Sequence, residues 1–228
     1  MKISLPAHVT RSLSYFFNRI SLLFFPCCCT YCKKLLNSRV IFCDDCKEMI
    51  RPLVSGSLQL TQTRSMKVIA LSAYRDPIRL LILAKRWSDI QAGSQLGQLL
   101  WDLSIFRTID ADYIIPVPLH WSRYARRGFN QAQEMARVLA RNKGVPMVKL
   151  VKRVKKTKFQ AGLAAPERQA NVNEAFELVG SDLERYRNKH LILVDDLLTT
   201  GSTIKSAARV LLQVKPSSIT VVVAARVV

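Results

Sequence analysis

Between residues 67 and 228, apolar segments typical of strands alternate with amphipathic segments typical of helices. This order predicts an α/β fold, in which a doubly wound parallel sheet is flanked by helices. The predicted strands are KVIALSAYR, DYIIPVPL, HLILVDD and SSITVVVAARVV, and the predicted helices are DPIRLLILAKRW, SDIQAGSQLGQLLWDL, GFNQAQEMARVLARNKG and STIKSAARVLLQVKP.

Single residues predict where several of these elements begin and end. Asp76 followed by Pro77 is a typical helix start, and Gly144 is typical of the position just after a helix. Pro116 interrupts the short strand that precedes it. The run HLILV is apolar without a break, which predicts a strand that is buried on both faces and ends at Val194.

Residues 1–26 form a leader with helical periodicity. Its apolar residues lie three or four positions apart, which predicts an amphipathic helix. No apolar run approaches the roughly 20 residues that a membrane span requires, and no small-residue cleavage site follows. The leader therefore either packs on its own domain or makes a peripheral membrane contact. Its apolar stripe comprises Leu13, Phe16, Phe17, Ile20, Leu23 and Phe24.

All six cysteines of the chain lie between residues 27 and 46. Two CxxC pairs in this stretch can supply four thiolates in a tetrahedron, which is the geometry of a structural zinc ion. Cys27 or Cys28 remains an alternative to Cys29 as the first ligand. Clustered cysteines indicate metal and a reducing compartment rather than disulfides, so we expect a cytoplasmic protein, at the inner face of the membrane if the leader makes contact. The predicted ligands are Cys29, Cys32, Cys43 and Cys46.

Composition divides the chain into four regions. These are the leader, a zinc-binding module over 27–50, a linker over 51–66 that is rich in Ser, Thr and Gln, and a domain over 67–228. Lys and Arg number 35 against 16 Asp and Glu, a net charge of +19. This excess indicates an anionic partner, such as nucleic acid, a polyphosphate or an anionic membrane surface.

The segment LILVDDLLTTGST contains a candidate binding site for an anionic ligand. After the apolar run come Asp195 and Asp196, and then a hydroxyl-rich turn leads into a helix. Free backbone N–H groups and the helix dipole favour an anion at that helix start. Carboxylates accept hydrogen bonds from vicinal hydroxyls, directly or through Mg²⁺, so the segment suits a ribose 5-phosphate. The predicted phosphate-binding residues are Thr199, Thr200, Gly201, Ser202 and Thr203.

VDDLLTTGST closely resembles the phosphoribosyl-pyrophosphate (PRPP) motif of type I phosphoribosyltransferases. Two further segments, PVPLHWSRYARRGFNQA and TKFQAGLAAPERQANVNEAF, resemble the ComF/GntX family, as does AYRDPIRLLILAKRWSD. The four-cysteine knuckle precedes the transferase-like domain in that family's order, so the resemblance covers all but residues 1–20 and 51–66. It implies a phosphoribosyltransferase-type parallel sheet with an N-terminal zinc knuckle. It also implies a role in natural competence, that is, DNA uptake, or in the use of DNA as a nutrient.

The resemblance also implies roles for individual residues. Asp195 and Asp196 would hold the ribose hydroxyls of PRPP with Mg²⁺, and the loop after DYIIPV would hold the pyrophosphate. The basic run KLVKRVKKTK over 149–158 would be either a mobile lid or a strip that tracks single-stranded DNA. Active transferase and catalytically silent DNA-binding scaffold both remain open, and proteins of the DNA-uptake machinery are expected partners. The predicted anion-binding side chains are Arg123, Arg126, Arg127 and Lys85.

Overall fold

The computed structural model describes residues 27–38, 40–84, 90–119, 124–125, 128–154 and 175–228. Within these ranges the chain divides after Met49 into two units. The predicted leader helix lies outside the described residues. No helix among them is long and apolar enough to cross a membrane.

The first unit is a small module around the cysteines. Strand β1 (Cys27–Cys28) pairs antiparallel with β2 (Leu35–Leu36). A short helix, α1 (Asp44–Glu48), follows, and its last turn buries Cys46. Among the described residues of this unit, Phe42 is the one buried apolar side chain besides three of the cysteines.

The second unit contains a five-stranded sheet with the strand order β3-β4-β9-β8-β5. Strands β4, β9, β8 and β5 are parallel, whereas β3 is an antiparallel edge strand. The strands are β3 (Leu53–Gln59), β4 (Ser65–Ala73), β5 (Tyr113–Pro116), β8 (His190–Leu198) and β9 (Ser218–Arg226), and a separate two-stranded sheet joins β6 (Val151–Arg153) to β7 (Phe176–Leu178).

Five α-helices are described in the chain, four of them in the second unit. These four are α2 (Ile78–Ala84), α3 (Ile90–Leu103), α4 (Gln131–Lys143) and α5 (Ser202–Leu211). Gly144 ends α4 in the left-handed conformation, with φ +73°, as predicted. Short 3₁₀ turns lie at Ile105–Thr108, Glu184–Tyr186 and Leu212–Val214.

The linker prediction for residues 51–66 is wrong, because this stretch supplies β3 and the turn into β4. Ser57 and Gln59 are exposed on this edge strand, while Leu58 and Leu60 between and after them turn inward. An edge strand has one solvent-exposed face, which accommodates polar side chains. The polar composition of this stretch therefore reflects an edge strand and not a linker without secondary structure.

The sheet buries apolar side chains on both faces. On one face Leu191 and Leu193 join a core with α5, β6 and β7. On the other face α4 packs on β5 and β8, and α3 packs on α4. Close approach of these two helices depends on Gly97, where an added Cβ would lie 2.9 Å from the Met135 carbonyl oxygen.

Candidate functional site

The carboxyl edge of the sheet has a step between β5 and β8. Strand β5 ends at Pro116, which pairs with Val194. Strand β8 continues to Leu198 and stays paired on its other side with β9. The prediction that this strand ends at Val194 is therefore wrong by four residues, because the continuing ladder with β9 carries the two aspartates as strand residues.

Asp195 and Asp196 are half-buried at this step. The backbone N–H of Asp196 donates to Oδ1 of Asp195 at 2.8 Å, which fixes the first carboxylate against the strand. Because neighbouring strand residues point to opposite faces, the two carboxylates leave β8 in different directions. A ligand that uses both must sit across the end of the strand.

The turn after β8 leads directly into α5. Gly201 has φ +76°, and its carbonyl oxygen accepts the first helical hydrogen bond, from Lys205 N at 2.8 Å. The hydroxyl groups of Thr200 and Ser202 lie 3.3 Å apart and are exposed. At the start of a helix the first backbone N–H groups have no partner in the preceding turn, so this end favours an anion.

Gly201 also fits closely against the edge of the sheet. A Cβ on this residue would lie 3.0 Å from both methyl groups of Leu58 and 3.4 Å from Cδ1 of Leu198. Strand β3 lies three places from β8 in the strand order, so the turn after β8 reaches Leu58 across the face of the sheet. Gly201 therefore packs against Leu58 and Leu198, while Thr199, Thr200 and Ser202 are exposed to solvent.

The GFNQ part of the RRGFNQ motif anchors the loop that follows β5. Gly128 is left-handed, with φ +77°, and Phe129 is buried. Asn130 caps α4, since its Oδ1 accepts from Ala132 N at 3.1 Å. Its Nδ2 donates to the Val117 carbonyl at 2.9 Å, which joins the end of the loop to the end of β5.

Gln131 makes a second connection from the same motif. Its Nε2 donates at 3.1 Å to the carbonyl oxygen of Leu81, in the last turn of α2. The side chain is 4% exposed, and its Oε1 has no partner within the described structure. An Asn just before a helix is a recognisable cap signal in the sequence, so the role of Asn130 can be predicted. The contact of Gln131 with Leu81 has no such signal.

Several predicted anion-binding residues cannot be placed. Arg123, Arg126, Arg127 and Lys85 lie outside the described residues, so their roles stay predictions. Of the basic run 149–158, residues 149–154 are described, and they include β6. There Lys152 is exposed and pairs with Glu177 at 3.0 Å.

At the opposite, amino-terminal edge of the sheet, Asp112 joins the beginnings of two strands. Its Oδ2 accepts from the backbone N–H of His190 at 2.7 Å, and Lys189 lies 3.5 Å from the other carboxylate oxygen. The hydrogen bond from His190, assisted by Lys189, lowers the pKa of Asp112 below its usual value. This carboxylate is a structural group, remote from the step.

In the first unit four cysteine sulfurs lie within 4.8 Å of one another. The Cys32 and Cys43 sulfurs are 3.6 Å apart. A tetrahedral zinc ion with Zn–S bonds of about 2.3 Å would place its sulfurs about 3.8 Å apart, so the group fits such an ion. Cys27 and Cys28 lie in β1, outside the cluster, which comprises Cys29, Cys32, Cys43 and Cys46.

The local backbone prepares this cluster for metal. Burial opposes ionisation of Cys29, yet hydrogen bonds from backbone N–H groups of Cys43, Cys32 and Tyr31 lower its pKa to about 6. Burial raises the pKa of Cys46, and the neighbouring thiols add to that effect. A bound cation would favour the thiolate form of all four cysteines, which the backbone hydrogen bonds already assist at Cys29.

Comparisons with known proteins agree with the fold of the second unit. Residues 124–227 match the phosphoribosyl transferase domain family. The chain is 31% identical to Competence protein F of Haemophilus influenzae over 192 residues, covering 80% of this chain and 83% of that protein. It is 30% identical to DNA utilization protein YhgH of Salmonella typhi over 200 residues, covering 81% and 84% respectively.

A shorter match is to Competence protein ComFC of Bacillus subtilis, 35% identical over 102 residues, which cover 44% of this chain and 38% of that protein. The predicted fold class is confirmed by the phosphoribosyl transferase match together with the observed sheet and the grouped cysteines. The chain therefore belongs to the ComF/GntX family.

Proposed function

We propose that this protein acts in DNA uptake or DNA utilization and binds a 5-phosphoribosyl ligand, PRPP or ribose 5-phosphate, at the carboxyl end of β8. The observation that carries the proposal is the step beyond β5, where Asp195 and Asp196 precede a turn that opens α5. The names of the relatives support the role in competence or DNA utilization.

In this proposal the turn from Thr199 to Thr203 holds the 5-phosphate through backbone N–H groups and hydroxyls. Asp195 and Asp196 accept hydrogen bonds from the ribose hydroxyls, directly or through Mg²⁺. The loop anchored by Asn130 carries the predicted pyrophosphate-binding arginines. Attack of an acceptor on the anomeric carbon would break the bond to pyrophosphate, whose charge those arginines would stabilise.

We propose a structural role for zinc in the first unit. The spacing and burial of the four cysteine sulfurs support this, and four thiolates leave no position for substrate. A zinc ion there would stabilise residues 27–49. Because reduced thiols persist in the cytoplasm, the proposal places the protein in that compartment.

Isothermal titration with PRPP, with and without Mg²⁺, tests the ribose-phosphate site. We expect binding by the wild type and at least a tenfold weaker binding by the double variant Asp195→Asn with Asp196→Asn, since each loses charge-assisted hydrogen bonds of about 1.5–3 kcal/mol. Asp110→Asn with Asp182→Asn is the matched control, because both residues are exposed carboxylates away from the step. Equal affinities of the two double variants would refute the site.

The net charge of +19 and the relatives named for DNA utilization favour a second candidate function, the binding of single-stranded DNA. Fluorescence anisotropy with a labelled oligonucleotide at two salt concentrations tests it. We expect affinity to fall steeply with salt, and to fall further in Lys149→Gln with Lys152→Gln than in the exposed pair Arg107→Gln with Arg141→Gln. Absence of binding at low salt would eliminate this candidate.

A further inference from the structure

Arg226, the last residue of β9, carries a charge that its surroundings do not neutralise. It is half-buried and pairs through its backbone with Leu198 of β8 and Ala73 of β4. Within the described parts of the chain, its guanidinium makes no hydrogen bond or ion pair. A guanidinium offers five N–H donors, so a half-buried one without an acceptor is suited to an anionic ligand.

Gly56 of β3 makes the space for this guanidinium. A Cβ on Gly56 would overlap Nη1 of Arg226 and lie 3.2 Å from its Cζ. Glycine weakens a strand interior and commonly marks a close approach of another group, which accounts for Gly56 within β3. The guanidinium of Arg226 therefore occupies the space that any other side chain at position 56 would take.

The same strand connects Arg226 to the turn after β8. Gly56 and Leu58 are two residues apart, so they face the same side of β3 about 7 Å from each other. Gly56 adjoins the guanidinium of Arg226, and Leu58 adjoins Gly201. Strand β3 thus places an unpaired cation beside a hydroxyl-rich turn that contains no Lys or Arg of its own.

We infer that Arg226, positioned by Gly56, supplies the cation that binds the phosphate group of a ligand at the turn from Thr199 to Ser202. This inference rests on the proposed function and names a binding residue for it. At the turn, backbone N–H groups, hydroxyls and the dipole of α5 compensate only part of the negative charge of a phosphate monoester. The guanidinium of Arg226 offsets the remaining charge and selects phosphorylated over neutral sugars.

The test is the affinity for ribose 5-phosphate, measured by isothermal titration for four variants. Arg226→Met removes the charge, and Arg226→Lys retains it without the planar donors. Gly56→Ala keeps Arg226 but pushes the guanidinium out of its place, and that movement of a flexible side-chain end leaves the fold intact. Arg141→Met, an exposed arginine in the last turn of α4, is the control.

We expect affinity for ribose 5-phosphate to fall about tenfold or more in Arg226→Met and in Gly56→Ala, and less in Arg226→Lys, because one charge-assisted contact is lost or displaced. Inorganic pyrophosphate should bind the wild type and Gly56→Ala with equal affinity, because its predicted site is the loop after β5 rather than the turn after β8. Unfolding in urea should show Gly56→Ala to be at least as stable as the wild type.

The possible failures are distinguishable. A wild type that binds neither PRPP nor ribose 5-phosphate contradicts the proposed function itself. A wild type that binds ribose 5-phosphate while Arg226→Met and Gly56→Ala bind it equally well contradicts only the role of Arg226. If Gly56→Ala weakened the binding of pyrophosphate and of ribose 5-phosphate equally, the role of Arg226 would also be contradicted. Arg226 would then attract anions in general rather than the phosphate group at the turn.

Discussion

Replacing Gly201 by alanine tests whether the phosphate turn is packed as described. Gly201 has φ +76°, so any other residue there adopts a left-handed conformation. The new methyl group would also meet both methyl groups of Leu58 at 3.0 Å. Two separate costs therefore act at this position, one from the backbone and one from the neighbouring strand.

Gly144→Ala isolates the backbone cost. Gly144 has φ +73°, but an added Cβ there would have nothing within 4 Å. A left-handed alanine costs about 1–2 kcal/mol, and the stiffer unfolded chain offsets roughly 0.4–1 kcal/mol of this. We therefore expect Gly144→Ala to lower the free energy of unfolding by about 1 kcal/mol. Crowding against Leu58 should add about 1–2 kcal/mol in Gly201→Ala, since overpacking of this kind costs about 1–3 kcal/mol.

Urea unfolding followed by circular dichroism measures both variants against the wild type. Adding Leu58→Ala to Gly201→Ala should recover part of the loss, so the two substitutions should be coupled rather than additive. If Gly201→Ala is no less stable than Gly144→Ala, Leu58 does not lie against the turn. The placement of the phosphate turn beside β3 would then be wrong.

Three further predictions concern other parts of the chain. Cys29→Ser should abolish stoichiometric zinc binding and unfold residues 27–49, whereas Cys28→Ser, outside the cluster, should retain the metal. Atomic absorption measures the bound zinc, and circular dichroism measures the folding. Loss of zinc from both variants would contradict the ligand assignment. The lowered pKa of Asp112 means that its carboxylate stabilises the fold fully above the ordinary Asp pKa of about 3.9 and loses this effect as the pH falls through its folded-state value. Asp112→Asn should thus be less stable at pH 7 and show a shallower acid transition in urea unfolding, and an unchanged acid transition would refute that role. Gln131→Met should lower the free energy of unfolding by about 1–3 kcal/mol, because the buried carbonyl of Leu81 loses its donor. Gln133→Met is the comparison, since Gln133 lies two residues later in the same helix and is only half-buried. Equal stability of the two variants would count against the contact.

The hydrophobic pattern predicted the parallel strands and the helices of the second unit. Helices bury apolar residues three or four positions apart, whereas these central strands are continuous apolar runs. It failed at β3, where an edge strand needs few apolar residues and Ser57 and Gln59 resemble a linker. It also ended β8 too early at Val194. Charged residues usually stop a buried strand, but here β9 continues beside Asp195 and Asp196 and provides their backbone partners.

The candidate site was predictable where its chemistry is local. The aspartate pair and the hydroxyl-rich turn are consecutive in sequence, and the two CxxC pairs identify themselves by spacing. Contacts between distant segments left no signal. Gln131 lies 50 residues from Leu81, and Gly56 lies about 170 residues before Arg226, whose guanidinium it contacts.

A crystal structure of the protein with ribose 5-phosphate and Mg²⁺ tests the central claim most directly. The account predicts the phosphate at the turn from Thr199 to Thr203 and the ribose hydroxyls within hydrogen-bond distance of Asp195 or Asp196. A phosphate bound elsewhere, with those carboxylates distant from the sugar, would contradict it.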